Sequence, residues 1–133
     1  IKDHYGAISD YTKAIELNPN YAIAYNNRGV SKKNLKDYNG AISDYTKAIE
    51  LYPNYADAYY NRGLSKDDLK AYSRAISDYN KAIEINPNYA SAYKNSGIAK
   101  EKLGDLNGAC KDWKKAAELG DTDAAGWVAN QCN

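Results

Sequence analysis

The chain has 133 residues, 44% of them apolar, which is enough length and hydrophobic surface for one domain with a buried core. Its 18 Lys and Arg balance 17 Asp and Glu, so a net charge of +1 gives no long-range field to draw in nucleic acid or an anionic membrane. There is no apolar run of about 18 residues and no positively flanked apolar leader, so neither a spanning helix nor a signal peptide is expected within this stretch. The absence of Met points to a processed product or a piece of something longer; localisation stays open, with the cytoplasm favoured.

In chain order, Ile1 to Tyr5 match Leu35 to Asn39, so the chain opens inside a repeated unit. A helix is expected from Gly6 to Leu17, followed by helices near 21–34, 38–51, 55–69, 72–85, 89–103 and 106–119, and a short last one near 122–131. The stretch from Ala41 to Gly63 shows why. Ala41, Tyr45 and Ala48 fall on one helical stripe, and Asp44, Lys47 and Glu50 on another. Pro53 then stops the helix, because proline has no N–H to donate and pushes Tyr52 out of the α region. A second helical pattern follows through Tyr59 and Gly63.

This unit recurs every 34 residues. Ala7, Tyr11, Ala14 and Pro19 become Ala41, Tyr45, Ala48 and Pro53, then Ala75, Tyr79, Ala82 and Pro87, then Ala109, Trp113 and Ala116, with Asp121 in place of a fourth proline. Tyr25, Gly29 and Leu35 keep step with Tyr59, Gly63 and Leu69 and with Tyr93, Gly97 and Leu103. Small residues let paired helices approach, and tyrosines fill the space beside the contact; each pair buries its apolar face only by stacking on the next.

A 34-residue period of helix pairs with this Tyr, Gly, Ala and Pro spacing resembles the tetratricopeptide repeat. The resemblance covers the whole chain and implies an all-α, right-handed α-solenoid of eight helices, a single domain over 1–133. Residues 1–21 would be the second helix of a truncated repeat, 22–55, 56–89 and 90–123 full repeats, and 124–133 a C-terminal capping helix. Leu119-Gly120-Asp121 and the change from Tyr to Trp at 113 and 127 read as an end cap and a natural C-terminus. The chain departs from the family at Arg28, Arg62 and Ser96, where Leu is usual, and at Lys32, Lys66 and Lys100, where Tyr is usual. An arginine at a position that the family buries needs a carboxylate: Asp44 and Asp78 on the paired helix, or Asp10 and Asp44 on the preceding one. A surface arginine with a buried stem is the alternative.

Catalysis has little to stand on. His4 is the only histidine and reads as a surface residue, and no nucleophile–base pair or Gly-rich phosphate loop is present, so the chain reads as a non-enzyme without cofactor or metal. Cys110 and Cys132 are too few for a metal site; they sit on helices that should pack antiparallel, but two free thiols are expected over a disulfide. The Asp, Lys, Glu ladders such as Asp44, Lys47 and Glu50 read as a solvated face.

The resemblance places a second stripe of each first helix in a concave groove. It holds Asn26, Asn27 and Val30 in the first motif, Tyr60, Asn61 and Leu64 in the second, and Lys94, Asn95 and Ile98 in the third. An asparagine amide offers both a donor and an acceptor, so Asn27, Asn61 and Asn95 could read the backbone of an extended peptide. The alternative is that each bonds a neighbouring helix and serves the stack. The carboxylate clamp of chaperone-binding members needs Lys and Asn, then Asn, then Lys and Arg. Those places hold Asn26, Val30, Asn61, Ser91 and Asn95, so only Asn61 fits. The function implied is a protein- or peptide-binding scaffold whose partner is unnamed, with no nucleic acid or membrane contact. The alternative is a structural segment that associates weakly head to tail with other copies.

Overall fold

Each first helix is set against its partner by a glycine over an aromatic ring. In the structure, a computed structural model that describes residues 3–133, a Cβ added to Gly29 would lie 2.6 Å from the ring of Tyr45. The same holds for Gly63 over Tyr79, at 2.6 Å, and for Gly97 over Trp113, at 2.4 Å. No real side chain tolerates that distance, so glycine is the residue that allows the approach. Tyr79 is fully buried and its hydroxyl is bonded to Asp67, so the ring has nowhere to retreat. Gly63→Ala should therefore destabilise by about 1–2 kcal/mol, the overpacking penalty less the helix-propensity gain of alanine. Urea denaturation checks this; wild-type stability would mean that the ring yields.

Eight helices and no strand are present among the described residues: α1 (His4–Leu17), α2 (Ala22–Asn34), α3 (Tyr38–Leu51), α4 (Ala56–Asp68), α5 (Tyr72–Ile85), α6 (Ala90–Lys102), α7 (Leu106–Glu118) and α8 (Thr122–Gln131). Four of the starts, those of α1, α3, α7 and α8, are capped by aspartates. The carboxylates of Asp3, Asp37, Asp105 and Asp121 accept from the amides of Gly6, Gly40, Gly108 and Ala124, satisfying N–H groups that the helix leaves free. After α1, α3 and α5 come the proline turns. After α2, α4, α6 and α7 the chain leaves through a left-handed residue, Lys36, Lys70, Gly104 or Gly120.

Consecutive helices pack antiparallel down the chain, giving an all-α solenoid. In addition α2 touches α4, and α4 touches α6. No comparable contact joins α3 to α5 or α5 to α7, so the first helices line the inner side of the stack and the second helices the outer. The core is correspondingly lean: Ala41, Ala48, Ala58, Ala75, Ala82 and Ala92 at full burial around Tyr45 and Tyr79, ending in a cluster of Ala109, Cys110, Trp113, Ala116 and Ala124.

The two cysteines correct the expectation of free thiols. Cys110, in the first half of α7, and Cys132, directly after α8, form a disulfide with their Cα atoms 5.7 Å apart, and it fastens the last helix to the stack. Antiparallel packing brings the start of α7 to the end of α8, and this overrides the prior from cysteine number alone.

Candidate functional site

The residues that depart most from the expected pattern turn out to be partners. Arg28 donates from Nε and Nη2 to the two carboxylate oxygens of Asp44 at 2.8 and 2.7 Å, and Lys32 reaches the same carboxylate at 3.0 Å. Arg62 and Lys66 do the same to Asp78, at 2.9, 2.8 and 2.8 Å. Asp44 and Asp78 are each 4% exposed, so of the candidate carboxylates the paired helix supplies the ion pair. The preceding helix supplies a hydroxyl instead: Thr12 accepts from Arg28 at 3.3 Å and Thr46 from Arg62 at 3.2 Å. Each guanidinium also lies 5.5 Å from a tyrosine ring centre, Tyr25 or Tyr59. The hydrogen bond to aspartate raises both arginines above their ordinary pKa against the opposing pull of burial. In the third motif Lys100 alone holds Asp112, at 2.8 Å, and the indole of Trp113 donates to the carbonyl of Lys94. The sequence marks both the arginines and the lysines as departures, but a carboxylate partner is expected from it only for the arginines. The signal was there, since Lys32, Lys66 and Lys100 recur in step with Asp44, Asp78 and Asp112.

On the inner side, Val30, Leu64 and Ile98 are half-buried and follow one another along α2, α4 and α6. Beside them the amides are partly engaged. Asn26 is 6% exposed and accepts from Nδ2 of Asn61 at 3.1 Å, so its side chain links α2 to α4. Asn95 donates to the Tyr60 hydroxyl and to the Ser91 carbonyl, both at 2.9 Å, which uses its two N–H groups and leaves its carbonyl oxygen. Asn61 keeps its oxygen and one N–H. Asn27 is half-buried beside Val30 in a hollow of about 320 Å³ at the first end of the stack, which Ala7 and Tyr11 also line. Lys94 lies 3.6 Å from both Asp121 and Asp123, which ties α6 to the start of α8. Tyr60 lies between Tyr79 and Tyr89 in tilted ring contacts, with ring centres 5.8 and 4.9 Å away.

A second hollow, of about 280 Å³, is walled by Lys33 of α2, by Leu64, Asp67 and Asp68 of α4, and by Asn95, Ile98 and Lys102 of α6. Asp67 accepts from the Tyr79 hydroxyl, yet desolvation pushes its carboxyl up to about 6. Burial likewise raises Tyr79, with the Asp67 bond adding to it. A carboxyl raised from 3.8 in this way contributes its stability fully below pH 4 and loses it as pH rises through 6. Asp67→Asn should therefore stabilise the chain at neutral pH by about 1 kcal/mol, after discounting for partial exposure, and flatten the pH dependence between 4 and 6. Melting curves from pH 4 to 8 test this; parallel profiles for the two proteins would refute it.

Among the described residues no group of three or more His, Cys, Asp or Glu is arranged to hold a metal ion. Among the same residues no helix is long and apolar enough to cross a membrane.

The "Tetratricopeptide repeat" family pattern matches residues 22–55 and 56–89, a related "TPR repeat" pattern matches 3–36, and a further "Tetratricopeptide repeat" pattern matches 78–111. No curated protein sequence matches at a significant level. Among solved structures, a crystal structure of MamA is 35% identical over 89% of this chain and 69% of its own, with a TM-score of 0.81. A second MamA crystal structure is 33% identical over 96% and 67%, also at 0.81. The first TPR of Spaghetti (RPAP3), bound to the HSP90 peptide SRMEEVD, is 29% identical over 82% of this chain and 88% of its own, with a TM-score of 0.78. Glycine over aromatic ring, proline turn and aligned helix pairs thus coincide with family matches over more than half the sequence, and the chain belongs to the tetratricopeptide repeat family.

Proposed function

We propose that the chain is a non-catalytic scaffold that binds an extended segment of a partner protein along the inner face of α2, α4 and α6. The observation that carries this reading is the line of Val30, Leu64 and Ile98 beside amides held in place by neighbours, with the oxygens of Asn61 and Asn95 left over. Apolar side chains of a peptide would lie against the aliphatic line while its N–H groups donate to those oxygens. Asn26 then acts behind Asn61 as its support. A structural neighbour that holds a peptide, the TPR of RPAP3, supports the mode of binding. It does not carry its ligand over: Asn26, Val30, Ser91 and Asn95 stand where the carboxylate clamp needs other residues, and the mixture of Asp57, Asp67 and Asp68 with Lys33, Lys94 and Lys102 names no ligand charge. The Cys110–Cys132 bond supports an oxidising compartment over the cytosol.

A peptide-library pulldown with wild type and with Asn27→Ala, Asn61→Ala and Asn95→Ala tests the groove. Each change should weaken a selected peptide by about 0.5–1.5 kcal/mol. Asn27→Ala is the cleanest, whereas Asn61→Ala also strands the Asn26 oxygen and should lower stability. Peptides selected equally by wild type and the triple variant would remove the groove from the mechanism.

A further inference from the structure

The 34-residue period carries one ion cluster through two motifs and leaves it incomplete in the third. Arg28 and Arg62 each bridge a tyrosine ring, Tyr25 or Tyr59, and a carboxylate, Asp44 or Asp78. The counterparts in the third motif are Tyr93 and Asp112, but Ser96 stands in the place of the arginine. Its short side chain ends within the packing: Ser96 is fully buried, and its hydroxyl has no hydrogen-bond partner among the described residues. Ring and carboxylate therefore lack their cation. They wall a hollow of about 410 Å³, otherwise bounded by Lys111, Lys114, Lys115 and Glu118 of α7. The Asp112 side chain is 14% exposed, against 5% for Asp44 and Asp78, and Lys100 holds it through Oδ2 alone.

The ends of the chain do not create this opening. Arg28 of α2 reaches Asp44 of α3 and Thr12 of α1, and Arg62 of α4 reaches Asp78 of α5 and Thr46 of α3. By the same pattern the third place lies among α5, α6 and α7, all of which are present. In the first two motifs, where later helices continue the stack, the arginine side chains are still 17% and 18% exposed, so this side is open to water in the middle of the solenoid.

We propose that the hollow receives one arginine side chain of a partner polypeptide. Its guanidinium takes the position that Arg28 and Arg62 take in their own motifs, donating to Oδ1 of Asp112 and lying over the Tyr93 ring. Asn80, the exposed counterpart of Thr12 and Thr46 on α5, offers a further acceptor. Lys100 leaves room for the guest, since Lys32 and Lys66 share their carboxylates with an arginine in the same way. Lys115 is neutralised by Glu118, as Lys47 is by Glu50 and Lys81 by Glu84. Lys111 and Lys114 are exposed, and physiological salt screens their charge over about 8 Å. A planar guanidinium bonds the carboxylate and covers the ring at once, whereas an ammonium, a hydrated point charge, gains less from the ring.

The probe is the blocked tripeptide acetyl-Gly-Arg-Gly-amide, titrated into the isotopically labelled chain and followed by two-dimensional NMR. Saturable shifts around Tyr93 and Asp112 are expected in the millimolar range, as one charge-assisted pair allows. The lysine analogue, acetyl-Gly-Lys-Gly-amide, should bind roughly tenfold more weakly. Ser96→Arg should fill the place from within and abolish the response. Asp112→Asn, which adds no bulk, should weaken the probe roughly tenfold. Asn27→Ala, on the inner side, should change nothing, which separates this site from the proposed groove. No saturable shift at millimolar probe, an equal response to the lysine analogue, or an unchanged response in Asp112→Asn or in folded Ser96→Arg would each overturn the inference.

Discussion

Asp78→Ala should lower the unfolding free energy by about 3 kcal/mol, the lower end of the range for breaking a buried ion pair, because Arg62 and Lys66 keep a path to water. The carboxylate is 4% exposed and receives two bonds from Arg62 and one from Lys66, whose side chains are 18% and 20% exposed. Removing it leaves two cations facing a cavity, and the Thr46 hydroxyl alone cannot compensate a guanidinium. The double variant Arg62→Leu with Asp78→Ala should recover most of the loss, since Leu at that place restores the usual family residue and removes the uncompensated charge. Urea titrations of the two single and the double variants make the cycle. A cost under about 1 kcal/mol for Asp78→Ala would show that the cluster is solvated rather than structural.

The same cluster shows how far the sequence could be read. Gly29, Tyr45 and Ala41 are legible because close helix packing admits few residue types, and a 34-residue period repeats the constraint until chance is excluded. The Arg28 partner was narrowed to two carboxylates; the choice between them depends on which helix lies on which side, and periodicity alone does not carry that. The asparagines were harder. An amide donates and accepts with equal ease, so its position on a stripe does not say whether it bonds Asn26, Tyr60 or a ligand. Asp67 was not legible at all as a raised carboxyl. Its desolvation comes from the packing of α4 against α5, whereas Lys33 and Glu101 at the matching places of the other motifs gave no hint of burial.

Reduction of Cys110–Cys132 should release the last helix without melting the middle of the stack. The bond closes a loop of separation 22, for which the chain-entropy model gives about 3 kcal/mol. In a compact domain that loss would be shared by the whole fold. Here α8 packs on α7, at the end of a stack in which each helix pair contacts chiefly its neighbours, so the loss falls mainly on the end unit. What holds α8 besides the disulfide is Trp127 against Trp113, with ring centres 5.2 Å apart, the buried Ala124, and the ion pairs from Lys94 to Asp121 and Asp123. Hydrogen exchange on reduced protein, or on Cys132→Ser, should show faster exchange across Thr122–Gln131 with α4 and α5 unchanged, and Trp127 should become more accessible to a quencher. If α8 keeps its full protection after reduction, the tryptophan pair is enough to hold it on α7. If α4 and α5 lose protection together with α8, the stack unfolds as one unit, and α8 is as much a part of its stability as the ion clusters of α3 and α5.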